Sequence, residues 1–278
     1  MRNRARLIVG FSVVMLTLSV APAKASVILY DQNFENPTGF VNDSRDINIY
    51  RNVNQLYGNQ PLGFTFAQAF TVETLLVTGN QAFGTGYSDP QGIGGNYVIS
   101  MLSVFQNDLL GLSFNLKGQT FLNFRLNIST IDLSDFGGPF NPAGGSTPAY
   151  EITLFDNPSG ATTVSGNLTV LDRVQITGAA STARTVFNWT EHIVALNGSG
   201  SINGNVTLRI DGLNSGGSGY SALDNFLIVA SNTAGDVGGP GGVVVPEPAS
   251  LAVFGLSLAG LCAVRRRRSA PQTDVTRV

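Results

Sequence analysis

The chain has 278 residues, of which 12% are charged and 43% hydrophobic, with 33 Gly, 12 Pro, one Cys, one His and a formal net charge of −2. One His and one Cys exclude a Cys/His zinc site, a thiol redox pair and a disulfide framework, and the charge balance leaves no basic footprint for nucleic acid. The apolar fraction is enough to bury a core, and a β-rich chain of this length often folds as one domain.

At the N-terminus, Arg2, Arg4 and Arg6 precede an apolar run over residues 7–20, followed by Ala21-Pro22-Ala23-Lys24-Ala25. A basic region, a short apolar stretch and Ala-x-Ala form a secretory signal peptide over residues 1–25, with signal peptidase cutting after Ala25. The run is shorter than the ~20 residues a spanning helix needs, so cleavage is favoured over a retained anchor.

Residues 26–232 alternate short segments rich in Val, Ile, Leu, Phe and Thr with turns of Gly, Asn, Asp, Ser and Pro. Strands are expected at residues 27–30, 64–70, 75–78, 97–103, 111–116, 121–129, 149–155, 167–174, 184–188, 192–196, 205–210 and 222–229. Alternation at period two is clearest in Phe121-Leu122-Asn123-Phe124-Arg125-Leu126-Asn127-Ile128 and in Val206-Thr207-Leu208-Arg209-Ile210. No stretch sustains helical spacing for three turns. The expected fold class is all-β, a single jelly-roll-like β-sandwich of two sheets. Residues 26–245 contain seven Lys and Arg against sixteen Asp and Glu, a net −9. That acidity disfavours nucleic acid and anionic lipid and is compatible with calcium or neutral glycans.

Two segments from opposite ends of this region stand out: Phe34-Glu35-Asn36-Pro37-Thr38-Gly39-Phe40 and Ala222-Leu223-Asp224-Asn225-Phe226-Leu227-Ile228-Val229. Read from the residues alone, Glu35 also fits a solvated turn and Asp224-Asn225 a strand-entry cap. The pairing resembles calcium-containing carbohydrate-binding modules of the jelly-roll, galactose-binding-like type. That resemblance implies that Glu35 and Asp224, with backbone carbonyls, hold one structural Ca²⁺ and clip the terminal strands together. Asp31, Asp43 and Asp46 form another acidic group, without the glycine and terminal Glu of an EF-hand loop.

No catalytic residue is assigned. His192 lacks a nucleophile or metal pattern around it, and no G-x-S-x-G, H-E-x-x-H or Walker sequence is present. Asp132, Asp135, Glu151 and Asp156 are the candidate carboxylates for the alternative reading, a polysaccharide-active enzyme, which needs two of them about 5–9.5 Å apart. For sugar binding, exposed rings are the better clue, because a sugar stacks its apolar face on them. Tyr87, Trp189 and Tyr220 are the candidate ligand-binding residues, with Tyr50 and Tyr57 also in polar context, while Phe64, Phe66, Phe114, Phe121 and Phe124 are expected in the core. Six N-x-[ST] sequences, at Asn42, Asn127, Asn167, Asn188, Asn197 and Asn205, match the glycosylation pattern without singling out a modified site.

Residues 233–245 read as a Gly/Val-rich linker. Pro246-Glu247-Pro248 follows, then an apolar run over residues 249–264, the block Arg265, Arg266, Arg267 and Arg268, and a tail at residues 269–278. An arginine block beside an apolar helix stays on the cytoplasmic side, so the tail is cytoplasmic and residues 26–245 lie outside. Cys262 sits within the apolar run as a filler. Proline-flanked glutamate, helix and arginine stop, in that order, resemble the PEP-CTERM sorting signal, although the tail beyond the arginines is longer than is usual there. The resemblance implies a Gram-negative bacterium that makes exopolysaccharide, a transmembrane helix that holds the chain in the inner membrane, and processing near residues 246–248 by an exosortase. The expected product is a non-enzymatic protein of the cell surface or biofilm matrix, with extracellular polysaccharide as its partner and no nucleic acid.

Overall fold

In a computed structural model of the chain, the described residues are 25–42, 47–48, 51–66, 72–77, 87–102, 108–131, 147, 149–162, 164, 168–183, 186–213 and 220–238. They fall within one unit, Lys24–Val243. The signal-peptide pattern up to residue 24, the sorting signal, Asp43, Asp46, Tyr50, Asp132 and Asp135 lie outside the described residues. No helix among the described residues is long and apolar enough to cross a membrane.

The elements in chain order are β1 (Val27–Gln32), β2 (Ile47–Asn48), α1 (Val53–Leu56), β3 (Thr65–Phe66), β4 (Glu73–Leu76), β5 (Tyr97–Leu102), β6 (Leu109–Asn115), β7 (Phe121–Ile131), β8 (Ala149–Asp156), β9 (Thr169–Thr177), β10 (Thr190–Asn197), β11 (Asn205–Leu213) and β12 (Tyr220–Ser231). They form two antiparallel sheets. One runs β10-β7-β12-β5-β4-β2, with β1 also on β12, and the other runs β3-β6-β11-β8-β9. The chain is an all-β sandwich, as its alternation predicts.

Alternation explains the core. On β7, Leu122, Phe124, Leu126 and Ile128 are fully buried, and on β11 so are Val206, Leu208 and Ile210. Burying side chains of this size contributes roughly 1.5–3 kcal/mol each. Between the sheets, the Phe226 ring meets Phe34 at 5.1 Å and Phe124 at 5.0 Å, both edge to face. That geometry suits the ring quadrupoles.

The second face of β7 departs from simple alternation. Its polar residues Asn123 and Asn127 are 0% and 6% exposed, because loops lie over the outside of the sheet. At one end, Asn188 N–H donates to Ser129 Oγ at 2.8 Å. At the other end, Asn123 Nδ2 donates to the carbonyls of Thr233 at 3.1 Å and Asp236 at 3.0 Å, and Asn123 Oδ1 accepts the Gly235 N–H at 2.7 Å. Gln119 Nε2 donates to the Ala25 carbonyl at 2.6 Å, and Thr120 N–H to Asn232 Oδ1 at 3.1 Å. The chain therefore enters and leaves the sandwich beside the same β6–β7 turn.

One expected strand is replaced. Within 184–188, Val186 makes a single bridge to Ser88, because Ser181 Oγ bonds the carbonyls of Ala183 at 2.6 Å and Val186 at 2.7 Å. Of the described residues of this segment, 187 and 188 belong to no strand. The short strand β2, at the sheet edge, carries no pattern that would announce it.

Replacing Asn123 with Ala removes the clasp on residues 233–236 and leaves their backbone groups without their partner. Denaturation in urea is expected to show a loss of about 2–3 kcal/mol, with hydrogen exchange at Gly235 accelerating ahead of exchange in β7.

Candidate functional site: the carboxylate junction on β12

Strand β12 keeps β7 on one side for most of its length and changes partner on the other. Residues Tyr220–Leu223 pair with β5, and Phe226–Ala230 pair with β1. At the changeover its register with β7 shifts between Asp224 and Leu227, and Asn225 takes a φ of +54°. A β-bulge re-aims side chains and interrupts the ladder, and Asn tolerates the left-handed region better than most residues. Asp224 is 1% exposed at this break. Its carboxylate accepts the Asn225 N–H at 2.7 Å, and Asn225 Nδ2 reaches the Ile93 carbonyl at 3.3 Å.

Glu35 arrives from the other end of the sequence. After β1, Phe34 turns the chain with φ +56°, its N–H donating to Gln32 Oε1 at 2.9 Å and its carbonyl accepting the Tyr57 hydroxyl at 2.8 Å. The buried ring anchors the turn. Glu35 then meets the start of β5, accepting the Asn96 N–H at 2.9 and 3.0 Å and Asn96 Nδ2 at 2.9 Å. A Cβ at Gly95 would come within 1.9 Å of Glu35 Oε1, so the carboxylate lies where only glycine leaves room.

A third carboxylate, Asp89, was not singled out by the sequence. It folds the loop before β5 by accepting the N–H groups of Gln91 at 3.2 Å, Gly92 at 3.0 Å and Gly94 at 2.8 Å. The only cue was its place in Asp-Pro-Gln-Gly, a turn composition. Burial, opposed by the Asn225 N–H and reinforced by the charges of Glu35 and Asp89, pushes the Asp224 carboxyl up to about 8. The structure therefore brings Glu35 and Asp224 into one electrostatic neighbourhood. Neither forms an ion pair among the described residues.

Fit to a cation follows from the donors. A buried carboxyl beside two further carboxylates favours a positive charge, and hard oxygens suit Ca²⁺. Among the described residues, however, no group of three or more His, Cys, Asp and Glu is arranged to hold a metal ion. A cation here would draw on Glu35, Asp224 and carbonyl oxygens, with Asp89 already engaged by its own turn.

The aromatic candidates have different fates. Trp189 is 4% exposed, stacked on Phe187 at 5.3 Å with an interplanar angle of 2°, and a Cβ at Gly94 would lie 2.7 Å from its ring. Its expected role as a surface platform is corrected by this burial, which follows from the loop 88–95 closing over it. Tyr57 is likewise buried at 2%. Tyr87 is half-buried, its ring 5.9 Å from Phe187. Tyr220 begins β12; its side chain lies outside the described set. His192 is on β10, where burial pushes its imidazole below the usual range against a backbone hydrogen bond to Thr177.

Nor do the described carboxylates of the enzymatic alternative pair. Glu151 and Asp156 begin and end the same strand segment, about 16 Å apart at ~3.3 Å per residue. Glu151 faces Gln175 at 3.3 Å and Arg173 at 3.9 Å, while Asp156 accepts Ser201 Oγ at 2.8 Å.

Residues 244–268 match the PEP-CTERM protein-sorting motif, covering Pro246, Glu247, Pro248 and all four arginines of the stop. No curated protein matches the chain. Among solved structures, the K3 cleaved adhesin domain of Lys-gingipain from Porphyromonas gingivalis is similar over 74% of this chain and 99% of its own, at 13% identity and a TM-score of 0.38. The CBM22-1 xylan-binding domain of Paenibacillus barcinonensis Xyn10C covers 76% and 99%, at 14% identity and a TM-score of 0.38. CBM27-1 of Caldicellulosiruptor saccharolyticus, solved with mannohexaose, covers 76% and 100%, at 14% identity and a TM-score of 0.35.

The raised Asp224 carboxyl has a signed consequence. In the unfolded chain it ionises near pH 4, and in the folded chain near 8, so between these values the folded state binds more protons and stability falls as pH rises. Denaturation in EDTA across pH 4–8 is expected to show this decline, and Asp224→Asn to flatten it.

Proposed function

We propose that the chain is an exported, non-enzymatic protein of the cell surface or extracellular matrix, delivered by its signal peptide and sorted through its C-terminal signal. The match at residues 244–268 to a protein-sorting motif carries this reading. In it, an exosortase recognises Pro246, Glu247 and Pro248 while the apolar run that follows and Arg265 to Arg268 hold the chain in the inner membrane. Processing then releases the acidic β-sandwich to interact with extracellular polysaccharide. Among the described residues, the separation of Glu151 from Asp156 gives the enzymatic alternative no support from that pair, and the burial of Trp189 leaves its indole out of the proposed contact with sugar.

A second reading concerns stability. Calcium, held by Glu35, Asp224 and neighbouring carbonyls, would neutralise the carboxylate junction and fasten the turn after β1 to the bulge of β12. The convergence of these two side chains from distant parts of the sequence supports it.

Two outcomes are expected. Changing Pro246 and Pro248 together to Ala leaves an unprocessed, membrane-bound chain; an unchanged mature mass and location would sink the sorting assignment. Calcium at a hundredfold excess over Kd adds about 2.7 kcal/mol and raises the melting midpoint of the exported domain by roughly 5–10 °C. Glu35→Gln and Asp224→Asn should each remove most of that rise, whereas a rise retained in both variants would place calcium elsewhere.

A further inference from the structure

A cavity of about 360 Å³ opens between the segment following α1 and the loop after β8, lined by Asn54, Gly58, Gln60, Leu62, Thr65 and Thr162 among others. It lies at the β3 edge of the five-stranded sheet and includes neither Glu35, Asp89 nor Asp224, although Tyr57 belongs to its wall and also holds the Phe34 turn.

Its walls are built to keep their shape. Asn54 Nδ2 donates to the Phe64 carbonyl, which closes the loop, and the Tyr30 hydroxyl donates to Gln60 Oε1, which ties the loop to β1. Phe64 N–H donates to the Pro61 carbonyl at 3.1 Å. Gly63, at φ +94°, lies so close to β6 that a Cβ would come within 2.9 Å of Ser113 Cβ. Below the loop, Phe64 and Tyr57 are 1% and 2% exposed.

The lining also says what would enter. Among the described residues of the lining no side chain is charged, so a free ion would meet no counter-charge from them, and the net −9 of residues 26–245 repels anions. Two polar atoms of the lining, Gln60 Nε2 and Thr65 Oγ1, are buried without a hydrogen-bond partner among the described residues. Such groups cost about 1–3 kcal/mol each when left unsatisfied. Turning the Gln60 amide does not help, because Tyr30 engages one end and the other stays unpaired. Leu62, 82% exposed, offers an apolar rim. The volume is at the lower end of the ~300–1,000 Å³ range of ligand pockets.

We infer that this cavity is a binding site for a neutral, hydroxyl-rich ligand, a mono- or disaccharide unit of a neutral glycan, with Gln60, Thr65, Asn54 and Thr162 as its polar contacts and Leu62 against the apolar face of the ring. The inference rests on the reading of the sandwich as a polysaccharide-interacting protein and gives that reading a location.

Gly58 supplies the test. Its backbone is outside the left-handed region and nothing lies within 4 Å of an added Cβ, so Gly58→Trp fills the cavity without straining the chain, and Gly58→Ala is the matched control. Saturation-transfer NMR on the full chain, with lactose, mannobiose, xylobiose and cellobiose as probes and digalacturonate as a charged comparison, measures binding. The expected result is binding of at least one neutral disaccharide by the native chain and by Gly58→Ala, at least tenfold weaker binding by Gly58→Trp at an unchanged melting midpoint, and no binding of digalacturonate. Equal binding by Gly58→Trp would overturn the site while leaving the polysaccharide reading intact. Equal binding of digalacturonate would overturn the assigned ligand chemistry, and no binding of any neutral probe by the native chain would overturn site and reading together.

Discussion

Much of the sandwich depends on how β12 shares its neighbours. One strand cannot hydrogen-bond two partners along the same stretch of one edge, so β5 must end where β1 begins, and the gap between them falls at Asp224-Asn225. The bulge there satisfies the geometry of the changeover and buries a carboxylate in the process. Everything that gathers around it serves the same gap. The Phe34 turn ends β1, the Asp89 turn starts the approach to β5, and Glu35 ties the two by accepting the N–H of Asn96.

This arrangement sets two costs against one gain. Phe34 and Asn225 both hold positive φ, which for residues with a Cβ costs about 1–2 kcal/mol each, and Asp224 is driven toward its protonated form. In exchange, Phe226 enters the core immediately after the bulge, between Phe34 and Phe124. Packing of the aromatic cluster thus stabilises the backbone strain, and the unresolved charge is left for a cation or a proton to settle.

What the sequence revealed divides along physical lines. The strands were legible wherever burial is one-sided, as in Leu122, Phe124, Leu126 and Ile128, because period-two alternation is local. Glu35 and Asp224 were legible as a pair only through a resemblance, and their neighbourhood depends on strand pairing nearly 200 residues apart in the chain. Trp189 was misread for the opposite reason. Its polar neighbours Asn188 and Thr190 suggest a surface, yet Gln91 from a distant loop takes up its backbone and Gly94 makes room for its ring. Likewise Asn123 and Asn127 look like solvent-facing residues of an alternating strand, and become buried because loops cover the second face. The cavity beside α1 had no signature at all, since Gly58, Gln60 and Thr162 converge from separate loops.

The clasp at Asn123 has a mechanical meaning. The chain leaves the sandwich from the end of β12, a strand held by β7 on one side and β1 on the other, so tension on the exit, opposed by a grip elsewhere on the domain, first meets the Asn123 bonds to residues 233–236. Beyond them it acts along β12, loading two ladders of hydrogen bonds in shear rather than peeling them one by one. Shear requires many bonds to fail together. A surface protein fastened through this exit would lose the bonds to residues 233–236 before its sandwich gives way, so the contacts that finish the fold also take the first share of any pull.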